Sequence, residues 1–376
     1  MQDTKDKKTI GLLTMHRVVN FGSVLQAYAM QEVLERLGYS CTIIDYQYPN
    51  KMHHGDKEKW PLLVGIYRML MQWLHGRPAK KQHFGFENFR ERYFHTTGYY
   101  PTYESLQERP PLFDTYLLGS DQTWNVRHIG HDDTFLLSFT DSSNKVSYAP
   151  SAARSTLDVE HIDAFRKYIP QFKAISVREK NTQQLIKSLT GKEPPVMLDP
   201  TLLLNKEDWR KIGITSQFKV KKTPFILVYV LRYSFYPYPL ATELIKKVYE
   251  KYGYHLVIIR YSMKEKLGVK DYENLYEGIA PEDFVALFEQ ASFVVTTSFH
   301  GTAFAINNNK PFYSIYDPEL ADDRIISLLR ELGLEDRAIS IHDAAPEVTE
   351  AIDYNAVNTK LNAMRRDAFD FLTNNV

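Results

Sequence analysis

The chain of 376 residues contains a single cysteine, Cys41, set in the apolar stretch CTII. One thiol excludes an intramolecular disulfide framework and any metal site built from several cysteines, and its neighbours predict packing in a core strand. Neither sign of charge is in excess, since 46 Lys and Arg balance 46 Asp and Glu. A broad basic face for nucleic acid is therefore not indicated, and an anionic ligand would have to be held by a local site. No apolar run approaches the roughly 18 residues that span a bilayer. The opening MQDTKDKKTIGLLT lacks the basic and apolar regions of a secretory signal, which predicts a cytoplasmic protein. Two catalytic signatures are missing as well: there is no G-x-G-x-x-G dinucleotide loop, so no nicotinamide or flavin cofactor is indicated, and no G-x-S-x-G hydrolase elbow.

What is present is a globular composition, 44% apolar and 24% charged, with length enough for two domains. TIGLLT reads as a strand, SVLQAYAMQEVLERLG as a helix and YSCTIIDYQ as the next strand. In that helix Leu25, Ala29, Val33 and Leu37 recur at four-residue spacing beside Met30 and Leu34, with Gln26, Glu32, Glu35 and Arg36 expected to face away. Gly38 marks its end. The alternation of strands and helices continues to PPVMLDPTLLL and restarts at PFILVYVL. This predicts an α/β fold of two Rossmann-like domains whose carboxyl edges face a cleft. The expected division is an N-terminal domain over 1–205 with an inserted helical segment at about 50–110, and a C-terminal domain over 206–350. A helix over 351–376 is expected to pack back on the first domain. The charged stretch near 205–222 is read as the boundary.

The insertion carries WPLLVGIYRMLMQWL, residues 60–74, followed by a basic, aromatic stretch. Two readings stand: a buried helix of a lid, or peripheral membrane contact through residues 60–94. RHIGHDD offers His128, His131, Asp132 and Asp133, but such loops are commonly solvated, and no metal is assigned.

Four polar clusters fall at strand ends, where open parallel sheets gather ligands: HRVVNFG, GSDQTWN, SVRE and SFHG. In SFHGTAFAI, residues 298–306, a histidine and a glycine stand where a strand turns into a helix. A helix N-terminus suits an anion, and a capping or packing histidine is the other reading. Asp121 in GSDQTWN is a carboxylate at a strand end, where a proton-accepting role and a turn-capping one both stand. Asn20 and Gly22 would shape the first-domain loop, flanked by His16 and Arg17. Asp199 before Pro200 reads as a turn residue.

The ordered series NFGSVLQAYAMQ, LLGSDQTWN, YAPSAA, SVREKNT, LDPTLLL and SFHGTAFAINNNKPF resembles the polysaccharide pyruvyl transferase family, from about residue 9 to 315. The resemblance implies a GT-B-like fold. It also implies an enzyme of exopolysaccharide or cell-envelope biosynthesis that transfers a pyruvyl group from phosphoenolpyruvate to a sugar, forming a ketal and releasing phosphate. The co-substrate would be phosphoenolpyruvate, with no further cofactor, and the acceptor a sugar or glycan, lipid-linked or free, at the inner face of the membrane. His300 matches the family's donor-binding histidine and, with Asp121, would be catalytic. Arg178, Ser298, Gly301 and Thr302 would complete the donor site. Asn20, Gly22, Gln122, Trp124 and Asn125 would meet the acceptor. Some members carry an arginine two residues before the histidine, where this chain has Ser298. The alternatives are a GT-B-like glycosyltransferase using a nucleotide sugar and a non-catalytic glycan-binding relative.

Overall fold

A computed structural model describes residues 7–47, 78–232, 234–259, 267–269, 272–275 and 278–376. The apolar run 60–74 lies outside the described residues. Of the segment considered for membrane contact, the part from 78 onward contains the helix Pro78–Tyr93, in which Phe86 and Phe89 are fully buried. Among the described residues no helix is long and apolar enough to cross a membrane.

Two compact units form. One holds the described residues up to 47 with Arg90–Leu203 and Met364–Val376; the other holds those from 78 to Phe89 with Leu204–Ala363. The first contains a five-stranded parallel sheet of β1 (Thr9–Leu13), β2 (Ser40–Ile43), β3 (Thr115–Leu118), β4 (Lys145–Ser147) and β5 (Ala174–Ile175), in the order β2-β1-β3-β4-β5. The second contains a six-stranded parallel sheet of β6 (Phe225–Tyr229), β7 (His255–Ile259), β8 (Tyr272–Asn274), β9 (Phe293–Thr296), β10 (Phe312–Tyr316) and β11 (Ala338–Ser340), in the order β11-β10-β9-β6-β7-β8. Parallel strands covered on both faces read as unbroken apolar runs. FILVY and HLVII obey this, every residue being buried.

Both strand orders reverse direction once, between β1 and β3 in the first sheet and between β6 and β9 in the second. At such a switch point adjacent loops leave the sheet in opposite directions and open a crevice at the carboxyl ends of the strands. The clusters HRVVNFG and GSDQTWN follow β1 and β3, and SFHG follows β9.

Two expectations change. Gln26 is fully buried rather than outward, because its Nε2 donates to Thr14 Oγ1 at 2.8 Å and to Ser23 O at 2.9 Å. An amide donor so bonded can sit inside the core, which periodicity alone does not reveal. The charged stretch after 205 is not a linker at its start. Lys206–Gly213 is a helix with an Asn205–Asp208 capping box, and it buries Trp209 against Phe304, ring centroids 4.9 Å apart. The chain therefore divides at Leu203, just ahead of that helix. Cys41 is buried, and burial together with Glu35 pushes its thiol pKa far above the ordinary range, leaving an inert packing residue.

The terminal helix Tyr354–Asn375 contributes Met364 onward to the first unit, where Arg365 Nε donates to Leu202 O at 2.7 Å and Phe371 packs on Tyr148.

Candidate functional site

In the first unit the loop after β1 is held by charge. His16 is 1% exposed; its Nε2 lies 2.9 Å from Asp45 Oδ1 and its Nδ1 3.1 Å from Thr14 O. Arg17 grips the same carboxylate in a fork at 2.5 and 2.6 Å and lies 4.5 Å over the Tyr99 ring. Burial alone would raise the Asp45 pKa, but the hydrogen bonds and charges of His16 and Arg17 overcome it and bring it down to about 2. His16 and Arg17 thus tie the loop to the residue just beyond β2.

Asn20 caps the helix Phe21–Arg36, its Oδ1 accepting from the Gly22 and Ser23 amides at 2.9 and 3.4 Å. The Gly22 amide is therefore engaged within the helix start. Ser23 Oγ in turn donates to Asp121 Oδ2 at 2.5 Å. Asp121 has φ 76°, and Ala149 and Ala153 have φ 50° and 53°. Left-handed backbone at three non-glycine positions past β3 and β4 is costly, and such strain gathers at functional sites. The turn is fixed by Ser151 N donating to Asp121 O at 2.8 Å and Trp124 N donating to Ser151 O at 3.2 Å.

Behind this edge lies a buried ionic cluster. Arg178 Nη1 donates to Asp199 Oδ2 at 2.8 Å, Nη2 is 3.9 Å from Asp121 Oδ1 and Nε is 3.7 Å from Glu179 Oε2. The side chains of Arg178, Glu179 and Asp199 are all 1% exposed or less. Ser151 and Thr182 hydroxyls donate to Glu179 Oε1, and Ser120 Oγ lies 3.2 Å from Asp199 Oδ2. Asp199 also caps the turn at Pro200, as Asp-Pro predicts, its Oδ1 accepting from the Thr201 amide and hydroxyl.

Several expected ligand contacts are corrected here. Arg178 is enclosed by carboxylates in the first unit. Trp124 is fully buried, its indole N–H donates to Phe135 O at 3.1 Å, and its ring meets Phe165 and Phe172 edge-on, so no face is offered to a sugar. Asn125 Nδ2 donates to Gln122 Oε1 at 2.7 Å while its Oδ1 accepts from the Arg127 amide at 3.1 Å. These two amides brace the turn.

In the second unit Ser298 caps the helix Phe299–Asn307, its Oγ accepting from the Gly301 amide at 3.3 Å and its carbonyl from the Thr302 amide at 2.9 Å and the Thr302 hydroxyl at 3.0 Å. The amides of Gly301 and Thr302 are therefore spent inside the helix, not on an anion. Gly301 is required by packing: a Cβ there would lie 2.3 Å from Thr296 Oγ1 and 3.1 Å from the Tyr229 ring. His300 is buried in the first turn, with its ring 5.3 Å from that of Phe299.

Beside this turn lies a small, solvent-open recess, about 40 Å³ in cavity volume, whose walls include Leu231, Thr297, Phe299, Tyr316, Asp317, Asp322 and Arg324. It sits past the carboxyl ends of β6, β9 and β10. Thr297 Oγ1 accepts from the Leu231 amide at 2.7 Å and donates to Leu231 O at 3.0 Å, splicing the strand ends at the switch point. Arg324 opens the helix Arg324–Leu332; its guanidinium is forked onto the Asp322 carboxylate, with Nε at 2.7 Å from Oδ1, and lies 6.0 Å from the Phe299 ring centroid. Neither His300 nor Ser298 lines this recess, whereas their neighbours do. Asp317 and Arg324 were missed in the sequence. The available signals were faint: an aspartate ending PFYSIYD and an arginine after the two acids of DDR.

No curated protein matches the chain by sequence. Solved structures do match by fold. Neisseria meningitidis UDP-GlcNAc 2-epimerase bound to UDP-GlcNAc superposes with a TM-score of 0.52 at 9% identity, over 98% of this chain and 94% of that one. Arabidopsis thaliana UGT89C1 complexed with UDP-L-rhamnose gives 0.51 at 10% identity, over 98% and 99%. The architecture is accordingly GT-B-like, with two Rossmann-like units. These matches overturn the expectation of an enzyme that makes ketals from phosphoenolpyruvate: the proteins sharing the architecture are solved with nucleotide sugars, and Arg178, the cation meant to complete a phosphoenolpyruvate site, is committed elsewhere. The model of the family described as polysaccharide pyruvyl transferase matches residues 20–317, and the chain belongs to that family.

Proposed function

We propose that the protein is a GT-B-like glycosyltransferase that takes a nucleotide sugar as donor and a sugar or glycan as acceptor, with the nucleotide side held in the second unit. The recess at the β6–β9 switch point carries this reading, because it combines the two chemistries a nucleoside diphosphate needs. Phe299, Tyr316 and Leu231 give apolar walls for a base and ribose. Asp317, at the end of β10, is a carboxylate suited to accept from vicinal hydroxyls. Arg324, at the start of its own helix, supplies a cation and a positive dipole end for the diphosphate. Asp322 holds the guanidinium ready, and a phosphate would take over part of that fork. His300 would act electrostatically from the first turn.

Two similar folds solved with nucleotide sugars support the donor class. The test is calorimetric titration with UDP-, GDP- and dTDP-sugars, followed by assay of nucleoside diphosphate release with a glycan panel. At least one nucleotide sugar is expected to bind, and Arg324→Ala to weaken it by about tenfold or more, as for loss of a charge-assisted contact. No binding across the series removes the reading. Binding without release in any acceptor mixture leaves a glycan-binding relative instead.

A further inference from the structure

The loop that follows the short helix Val126–Ile129 returns to meet the start of the helix Val159–Tyr168. There His131 Nε2 stands 3.7 Å from Glu160 Oε1, and His161 Nε2 stands 3.4 Å from the same oxygen. The two imidazole rings lie 4.6 Å apart at 31°. All three ligand atoms fall within 4.8 Å of one another. His161 is the anchored member, with its side chain 9% exposed, whereas His131 and Glu160 are 69% and 64% exposed.

These separations carry information. A tetrahedral metal with bonds of about 2.0–2.1 Å puts its ligand atoms about 3.3 Å apart. The His161–Glu160 pair is already close to that spacing. The His131–Glu160 pair exceeds it by a few tenths of an ångström, which two exposed side chains can close by small rotations. For a plain ion pair the arrangement is wasteful, because one exposed carboxylate faces two imidazoles and makes a hydrogen bond to neither among the described residues. Two further side chains of RHIGHDD are occupied: His128 Nε2 lies 3.1 Å from Gln122 Oε1, and Asp132 accepts from Tyr46 OH at 2.6 Å and from the Thr134 amide at 3.0 Å. The histidine-rich loop thus supplies only one of the converging ligands, and a helix distant in sequence supplies the other two.

We propose that His131, Glu160 and His161 form a divalent transition-metal site of the zinc class in the first unit, with water completing the coordination. Two imidazoles and one carboxylate select Zn²⁺, or Co²⁺ and Ni²⁺ in its place, over Mg²⁺ and Ca²⁺, which prefer all-oxygen shells. Bound metal would clip the loop after Gly130 to the helix start. That site is separate from the second-unit recess, and its metal would be structural.

The test uses full-length, untagged protein stripped with chelator. Titration with ZnCl₂ is expected to show one strong site per chain, and CoCl₂ to give the intense visible absorption of a low-coordinate Co²⁺ complex. His131→Gln, at an exposed position that leaves the fold alone, is expected to weaken Zn²⁺ at least about tenfold, since even outer partners of metal ligands cost that much. Glu160→Gln should do the same, and His131→Gln with His161→Gln should abolish the site and the Co²⁺ spectrum. Unchanged Zn²⁺ affinity in His131→Gln, uptake by the double variant equal to that of the parent chain, or a Co²⁺ spectrum like that of the aqueous ion would each overturn the proposal.

Discussion

The two sheets end in different kinds of chemistry. Past β3 and β4 in the first unit, charged and polar side chains close on one another: Arg178 among Asp121, Glu179 and Asp199, with serine and threonine hydroxyls filling the remaining acceptor positions. Past β6, β9 and β10 in the second unit, the walls of a recess mix apolar side chains with one forked arginine and two carboxylates, Asp317 and Asp322. Sequence motifs rich in polar residues draw the eye to the first edge. The second edge is the one that keeps an open recess. The difference shows that a polar cluster at a strand end can be consumed by the fold's own need to place a strained turn.

The comparison breaks most visibly at Arg178. If the guanidinium serves the buried carboxylates, Arg178→Ala leaves Asp199 and Glu179 uncompensated in the interior and costs about 3–5 kcal/mol. Urea denaturation should show that loss as a fall in midpoint, or the chain should fail to accumulate folded. A variant of near-parental stability that had lost ligand binding would mean the opposite, that Arg178 faces ligand and the two edges are alike.

How much of this was legible beforehand follows the same division. The α/β rhythm, the helix after Asn20 and its stop at Gly38 could be read, because periodic apolar positions and cap residues act locally. Trp124 and Gln26 were assigned to solvent or ligand because burial of an indole N–H or an amide is decided by partners distant in sequence, Phe135 O and Thr14 Oγ1. Ser298 was read as the gap left by a missing cation. Its own chemistry as a cap, which Ser in that position favours, was the stronger signal. Arg324 stayed hidden because its worth depends on a helix start meeting the ends of three strands, which no single stretch of sequence displays.

A smaller effect sharpens the picture of the first unit. The Asp45 carboxyl is depressed from an ordinary 3.8 to about 2 by His16 and Arg17, against the pull of burial. A carboxyl with a lowered folded-state pKa stabilises the fold above its unfolded value and loses that contribution as pH falls through the folded one. Stability should therefore drop by about 1–2 kcal/mol between about pH 4 and pH 2, reduced from the full linkage value because Arg17 is partly solvated. Asp45→Asn should flatten that part of the curve when unfolding is followed against pH. An identical slope in variant and parent would remove the loop tether from the account.

The smallest effect bears on the second unit and on the residue that first suggested an anion site. Loss of a serine cap costs about 1 kcal/mol on replacement by alanine and only a few tenths on replacement by glycine, whose backbone tolerates the capping conformation. Ser298→Ala and Ser298→Gly should therefore differ in stability in that order by chemical denaturation. Because Ser298 does not line the recess, both should bind a nucleotide sugar as the parent does. If binding falls equally in the two variants while stability barely moves, the hydroxyl meets the ligand. The helix start would then belong to the site itself and not merely to the scaffold beside it, and the contrast between a self-consumed edge and an open one would have to be drawn at Thr297 and Phe299 instead.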